Sequence, residues 1–276
     1  MRLLHLADEV RYAQMRTEEL RAHFLLEDLF ARGSIKLVHV DLDRTVIGSV
    51  VPLADPLPLP CPNELRATSF TERRELGIFN IGSQGAVSVD GASYRLGKRD
   101  ALYIGRGDHA IYFSSTNPDA PAEFYLLSYP AHTVHPIASV CASELMPQTI
   151  GDPTSANHRF IHRLIPPEGA TSCQLVMGFT TLYSGSAWNT MPPHTHMRRS
   201  EVYLYFDLPA DQQVVHLMGP ANQTRHLVVT NKQVAISPLW SIHAGVGTAS
   251  YSFCWGMGGE NQVYTDMDPL RIADLL

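Results

Sequence analysis

The hydrophobic pattern opens with a helical period. Thr17 offers a cap, Glu18 and Glu19 an acidic first turn, Leu20, Phe24, Leu29 and Phe30 an apolar stripe, and Gly33 a stop. These positions predict a short N-terminal helix of about four turns. Beyond Gly33 the period shortens toward two, and strands are expected over 35–43 and 44–51. The chain then carries Pro52, Pro56, Pro58, Pro60 and Pro62. Proline has no N–H for a ladder and is confined to sheet edges, so this stretch reads as an extended strap.

From Leu76 onward, short apolar runs alternate with turn residues. Runs at 76–82, 86–89, 94–96, 101–105, 110–114 and 123–128, with a hairpin signal at Asp90-Gly91, predict a first β unit. A polar, proline-containing bridge around 146–167 separates a second set at 173–182, 201–208, 213–218, 226–230, 233–237 and 251–256. A weak repeat links the sets. Arg73-Arg74-Glu75 precedes one strand as Arg198-Arg199-Ser200-Glu201 precedes another, and Asp100–Ile104 leading to His109 echoes Val234–Pro238 leading to His243. The expected fold is all-β, a duplicated barrel, divided as 1–62 (helix and strap), 63–150 (first barrel) and 151–276 (second barrel). Pro269 followed by Leu270, Ile272, Ala273, Leu275 and Leu276 predicts a terminal helix.

Composition narrows the function classes. Lys and Arg number 21 against 27 Asp and Glu, a net charge of −6, and charged residues are 17% of the chain, below the roughly 25% usual in soluble proteins. That balance disfavours both disorder and a nucleic-acid partner. No apolar run reaches the roughly 18 residues of a membrane helix, and Asp8 and Glu9 arrive before a signal-peptide core can form. A cytoplasmic protein without membrane partners is expected. Cys61, Cys141, Cys173 and Cys254 are scattered with no C-x-x-C pair, which argues against a zinc knuckle or disulfide framework.

Thirteen histidines change the picture, through their placement. His194 and His196 stand at i and i+2, the spacing that shares one face of a strand. Met197 to Ser200 can turn the chain so that Glu201 approaches the same point, and His243, 42 positions after Glu201 and following Pro238, supplies a fourth corner. Three imidazoles and a carboxylate suit Zn²⁺, Fe²⁺, Mn²⁺ or Ni²⁺, and suit an all-oxygen Ca²⁺ cage badly. The plainer reading makes both histidines exposed loop residues and Glu201 a surface charge. An H-x-H alone carries little weight, and the Glu and the distant His favour metal.

The segment Gly185 to Glu201 resembles the cupins, whose first motif is Gly, then H-x-H, then Glu, and whose second motif adds one His. The duplicated organisation resembles a bicupin. In the first unit Thr68 and Phe70, or Ser69 and Thr71 if the Arg pairs are aligned, stand where the histidines would be, while Glu75 and His109 remain. Two ligands are too few, so metal is expected in the second unit only, with the first as scaffold or oligomer contact.

A closer resemblance, over nearly the whole chain, is to the 5-keto-4-deoxyuronate isomerase family. It rests on Glu72–Gly77 with Asn80-Ile81-Gly82, Arg99–Tyr103, Pro130–Thr133, Trp188–Pro192 leading to His194-Thr195-His196, Glu201-Val202-Tyr203, Ser241-Ile242-His243, Trp255-Gly256-Met257 and Gly259–Gln262. Met197 departs from the family pattern, which has an acidic residue before the Arg pair. The resemblance implies aldose–ketose isomerisation of a keto-deoxyuronate in pectin or uronate breakdown, one Zn²⁺ per subunit with Fe²⁺ or Mn²⁺ as alternatives, and a homo-hexamer. Other readings are a 5-deoxyglucuronate isomerase, an Fe(II) cupin dioxygenase, and a sugar-acid-sensing or storage bicupin.

Strand alternation from Glu201 carries Tyr203 and Tyr205 inward, as candidates to bond substrate or relay a proton. Gln174 is a further candidate. Arg163, Arg198 and Arg199 are candidates to hold a substrate carboxylate through a planar fork. Trp188 and Trp240 flank the ligand segments as candidate pocket walls.

Overall fold

Period-two alternation builds two copies of one strand order. The first copy has a seven-stranded sheet in the order Arg2–Leu4, Ser34–Val40, Val46–Val51, Phe124–Pro130, Arg74–Asn80, Ala101–Ile104, Ala138–Val140. Its four-stranded partner runs Leu57–Pro58, Ile111–Ser115, Gly85–Val89, Ala92–Leu96. The second copy has Gln148–Ile150, Arg159–Ile165, Val176–Leu182, Ser252–Gly259, Arg199–Phe206, Val234–Ser237, Leu25–Leu26, with Trp188–Asn189, Ile242–Gly247, Val214–Gly219, Arg225–Val229 as the smaller sheet. The computed structural model describes residues 1–168, 170–260 and 262–276; Gly169 and Asn261, the latter within the Gly259–Gln262 motif, lie outside the described residues.

In the first copy one face of every strand is apolar. Ile78 lies opposite Leu126 on one side and Leu102 on the other, and these join Leu76, Ile104, Phe124, Val87, Val89, Ile111 and Phe113 in a buried core. Each such side chain contributes about 1.5–3 kcal/mol by leaving water.

The N-terminal helix differs from expectation. It forms two pieces, Glu9–Tyr12 capped by Asp8 and the eight-residue Thr17–Phe24, instead of about four continuous turns. Leu25 and Leu26 turn extended because pairing with Ala235 and Val234 at the sheet edge buries both. Tyr12 and Phe24 pack on Trp240, so that tryptophan docks the helices and is absent from the wall of the metal pocket. The proline strap contributes only Leu57–Pro58, on an edge, as proline requires. The terminal helix is a single 3-10 turn, Ile272–Asp274.

The chain groups into two units that the boundaries at 62 and 150 do not express. One comprises Met1–Leu4, Asp28–Leu145 and Leu164–Val176, the other His5–Glu27, Met146–Arg163 and Met177–Leu276. The strap and its flanking strands thus belong to the first barrel, and the helices to the second.

Within the first unit, the fully buried Glu75 carboxylate accepts from the backbone N–H of Cys173, Gln174 and Leu175 at 2.6–2.7 Å and from the Tyr103 hydroxyl at 2.8 Å. Glutamine would set an NH₂ against those donors. Glu75→Gln is expected to cost about 3 kcal/mol, read as a lowered urea midpoint. An unchanged midpoint would show the network to be dispensable.

Candidate metal centre

The strand Arg199–Phe206 is paired on both sides, by Ser252–Gly259 and Val234–Ser237, which makes it a rigid base for side chains. Glu201, Tyr203 and Tyr205 share one of its faces. His194 lies on a two-residue strand held by Asp268–Pro269, and His243 on Ile242–Gly247, opposite Met218. These separate segments bring four donors together. His194, His196, Glu201 and His243 each offer a ligand atom, all within 4.8 Å of one another.

The spacing fits a small cation. His194 Nε2 lies 3.1 Å from His196 Nε2 and 3.0 Å from His243 Nε2, while Glu201 Oε2 is 2.8 Å from His196 Nε2 and 3.0 Å from His243 Nε2. These four contacts close a ring with edges of about 3 Å, and with no two ligand atoms more than 4.8 Å apart its centre lies about 1.8–2.4 Å from each corner, a range that spans the ~2.0–2.1 Å of a zinc–nitrogen bond. The tautomers agree. The carbonyl of Asp266 lies 3.0 Å from His196 Nδ1 and can only accept, so the proton sits there and the Nε2 lone pair faces inward. Arg199 Nε, 3.4 Å from the same nitrogen, is at the edge of hydrogen-bond range, and the shorter contact sets the tautomer.

The electrostatics point the same way. Burial, then the neighbouring His243, lowers His194 to about 2, so it is a neutral imidazole with a free lone pair. Burial alone would raise the Glu201 carboxyl, but His243 and His196 hold it well below the usual carboxylate range. Without an ion the Glu201 carboxylate takes positive character from the rings, and a divalent ion would supply it while leaving the imidazoles neutral with their lone pairs inward.

Three of the donors, His194, His196 and Glu201, lie on the wall of a cavity of about 330 Å³, and His243 meets His194 and Glu201 at 3.0 Å without lining it. Arg159, Arg163, Thr190 and Tyr203 add polar groups to that wall, and Phe253, Trp255 and Met257 an apolar side. Tyr203 is buried and shares a 3.0 Å hydrogen bond with Thr190 Oγ1. Burial, reinforced by Glu201, pushes its phenol well above the ordinary range, so it stays protonated. Tyr205 is also buried, off that wall, sharing a 2.7 Å bond with His216 Nδ1. Gly245 permits this packing: a Cβ there would sit 3.1 Å from the Tyr205 hydroxyl and 2.9 Å from Asn189 Nδ2.

The remaining candidates separate. Arg163 lines the cavity, stacks over Tyr264 at 4.1 Å and donates to Gln148 at 3.2 Å. Arg198 is exposed and pairs with Asp266. Arg199 is buried and donates to the carbonyls of Val263, Tyr264 and Asp266, so it clamps the loop that orients His196 and has little left for substrate. Gln174 belongs to the first unit, where it donates to the Pro130 carbonyl. Trp188 pairs with Val246 and is not part of the wall. Sequence reasoning passed over Arg159, although Arg159, Ile161 and Arg163 alternate on one strand face; Thr190 and the Tyr264–Met267 loop gave no such signal.

Strand register also corrects the counterpart of Glu201 in the first unit. Glu201 faces Ser237, the last residue of its neighbouring strand, and Leu76 faces Ile104 at the same place in the first copy. His243 faces Met218 beside a hairpin as Ile111 faces Val89. Leu76 and Ile111 therefore replace Glu201 and His243, and the Arg-pair alignment, with Ser69 and Thr71 for the histidines, is the structural one. Glu75 is one residue out of step, which puts it on the opposite face. His109 instead pairs with Asp90 at 2.6 Å.

The KduI/IolB family model matches residues 38–270. A 4-deoxy-L-threo-5-hexosulose-uronate ketol-isomerase of Kineococcus radiotolerans is 50% identical over 264 residues, 95% of each chain, and one of Opitutus terrae is 49% identical over 276 residues, the whole of both chains. An IolB-like protein of Salmonella typhimurium LT2 shares the fold, with a TM-score of 0.71 over 90% of this chain and 96% of its own at 14% identity. The chain belongs to the KduI/IolB family.

Proposed function

We propose that this chain is a metal-dependent aldose–ketose isomerase. Its substrate is 5-dehydro-4-deoxy-D-glucuronate (4-deoxy-L-threo-5-hexosulose uronate) and its product 3-deoxy-D-glycero-2,5-hexodiulosonate, in the breakdown of pectin and other uronides. The observation that carries the reading is the meeting of three imidazoles and one carboxylate beside a cavity whose wall bears His194, His196, Glu201, Arg159 and Arg163. Nearly full-length identity of 49–50% to relatives named for this reaction supports the substrate. His194, His196, Glu201 and His243 hold one divalent ion, Zn²⁺ by its fit to this donor set, with Fe²⁺ or Mn²⁺ as alternatives.

The reaction moves hydrogen between adjacent carbons without net redox change. A proton leaves C2 and one is delivered to C1, the C2 hydroxyl gives up its proton to become a carbonyl while the original carbonyl oxygen takes one up to become a hydroxyl, and negative charge develops on that oxygen between these events. When bound, the ion supplies Lewis-acid stabilisation of that charge. The protonated Tyr203 phenol, held by Thr190, donates a hydrogen bond toward the same oxygen. Arg163, with Arg159 beside it, binds the substrate carboxylate by charge-assisted bonds. Phe253, Trp255 and Met257 keep water from the reacting carbons. Glu201 serves as ligand and not as base, because donation to a cation lowers its basicity.

Arg163→Met keeps much of the stacking area and removes the fork. It is expected to raise KM by about 10–100-fold, as loss of one charge-assisted pair implies, with metal content unchanged. Steady-state kinetics with an unaltered KM would remove Arg163 from the carboxylate site. The activity is tested by following ketol conversion with and without a chelator, beside 5-deoxyglucuronate as alternative substrate and with an oxygen electrode in the cell. Preference for 5-deoxyglucuronate, or oxygen uptake coupled to turnover, would overturn the assignment.

Placement in the cytoplasm agrees with four free cysteines and with the absence, among the described residues, of a helix long and apolar enough to cross a membrane. Homo-hexameric assembly follows from the family resemblance and is checked by light scattering.

A further inference from the structure

We propose a second ligand site in the first unit: the cavity of about 230 Å³ that brings together Arg44, Arg73 and Arg74 binds a small oxyanion, carboxylate or phosphate. None of its lining residues belongs to the metal pocket.

Arg74 carries the argument. It is 7% exposed, and its Nε donates to Ser128 Oγ at 3.1 Å while its Nη2 donates to the carbonyls of Ser128 and Arg44, each at 2.7 Å. All three acceptors are neutral. The adjacent Glu75 spends its carboxylate on Tyr103 and the backbone of 173–175. Burial, with a smaller repulsion from Arg44, brings Arg74 down to about 10 in spite of the opposing pull of Tyr129 and Glu75. A buried cation whose hydrogen-bond partners are all neutral is costly, and an anion in the adjoining cavity relieves that cost.

The other groups on the wall add to the demand. Arg44 is exposed and forms no side-chain hydrogen bond or ion pair among the described residues. It sits on a turn where Asp43 and Arg44 take φ of 49° and 52°, which directs its carbonyl at Arg74 and leaves its guanidinium at the cavity. Non-glycine residues seldom hold that conformation, least of all two in succession. Arg73 is exposed and bonded to Glu72, which does not line the cavity. Glu64 does line it and lies 3.6 Å from the Met1 ammonium, while His39 adds a ring nitrogen. Guanidinium forks of this kind match carboxylate and phosphate oxygens in pairs.

Titration calorimetry on the zinc-loaded protein tests the proposal, with inorganic phosphate in one arm and succinate in the other at constant ionic strength. Saturable binding of at least one anion is expected, one per chain, weakened about 10-fold or more in Arg44→Asn, as loss of one charge-assisted bond implies. Zinc content and isomerase activity should be unchanged. Asparagine tolerates the left-handed backbone, so the turn is preserved. The preferred anion identifies the ligand class, and heat from anion at the metal centre is recognised because the substitution leaves it unaltered. Arg73→Gln, at an exposed position, gives the same reading if Arg44→Asn loses its fold by circular dichroism. No saturable binding by either anion, or equal affinity in wild type and folded variants, overturns the site.

Discussion

His243→Ala is expected to empty the metal centre and to lower kcat/KM by about 10³-fold or more, since the ion supplies several kcal/mol of charge stabilisation. His243 is 1% exposed, and its Nε2 lies 3.0 Å from both His194 Nε2 and Glu201 Oε2. Its removal takes one corner from a four-donor set and leaves a buried carboxylate short of a partner, so both affinity and local packing suffer. Elemental analysis beside the isomerase assay reads the outcome, with circular dichroism to confirm the fold. A folded variant that keeps its ion and its rate would exclude His243 from the centre.

Tyr203→Phe should act differently. Phenylalanine keeps the ring packed against Phe253, at a centroid distance of 4.8 Å, and removes only the hydroxyl that meets Thr190. Loss of a positioned proton donor costs about 10² to 10⁴ in rate, so kcat is expected to fall by that factor while metal content stays at wild-type level. The sign of the pH dependence follows from burial. A phenol pushed well above its ordinary 10.0 is fully protonated at every pH below that value, so this group does not limit the rate anywhere in the neutral range. A kcat within about threefold of wild type would assign Tyr203 to packing alone.

The contrast between these two residues shows what the chain makes legible. His194, His196 and Glu201 lie within eight residues, and the H-x-H spacing, the turn at Met197-Arg198 and the strand that follows bring them to one point; His243 arrives by a register that its Pro238-bearing approach only hints at. Tyr203 and Tyr205 look equivalent in the sequence, yet a turn of the barrel wall leaves Tyr203 on the cavity and Tyr205 off that wall beside His216. Arg199 looked like a carboxylate fork and is spent on three backbone carbonyls, a use that depends on where the 263–266 loop folds back. Such loop contacts have no period, and no local pattern announces them.

The same limit explains the misjudged helix and Glu75. A stripe at Leu20, Phe24 and Leu29 continues a helical period, but Leu25 and Leu26 gain more by joining a sheet edge formed more than 200 residues later. Glu75 echoes Glu201 in a run of similar letters, and a one-residue offset moves it to the other face, where segment 173–175 surrounds it. Fold class survives these errors because it rests on many strands at once.

The central claim is that one divalent ion is held by three imidazole nitrogens and one carboxylate oxygen. Metal-edge X-ray absorption on the purified protein, combined with elemental analysis, measures it directly. The account predicts one ion per chain with a shell of three nitrogens and an oxygen at about 2.0–2.1 Å. A fully active protein without stoichiometric metal, or a shell containing sulfur, would contradict it.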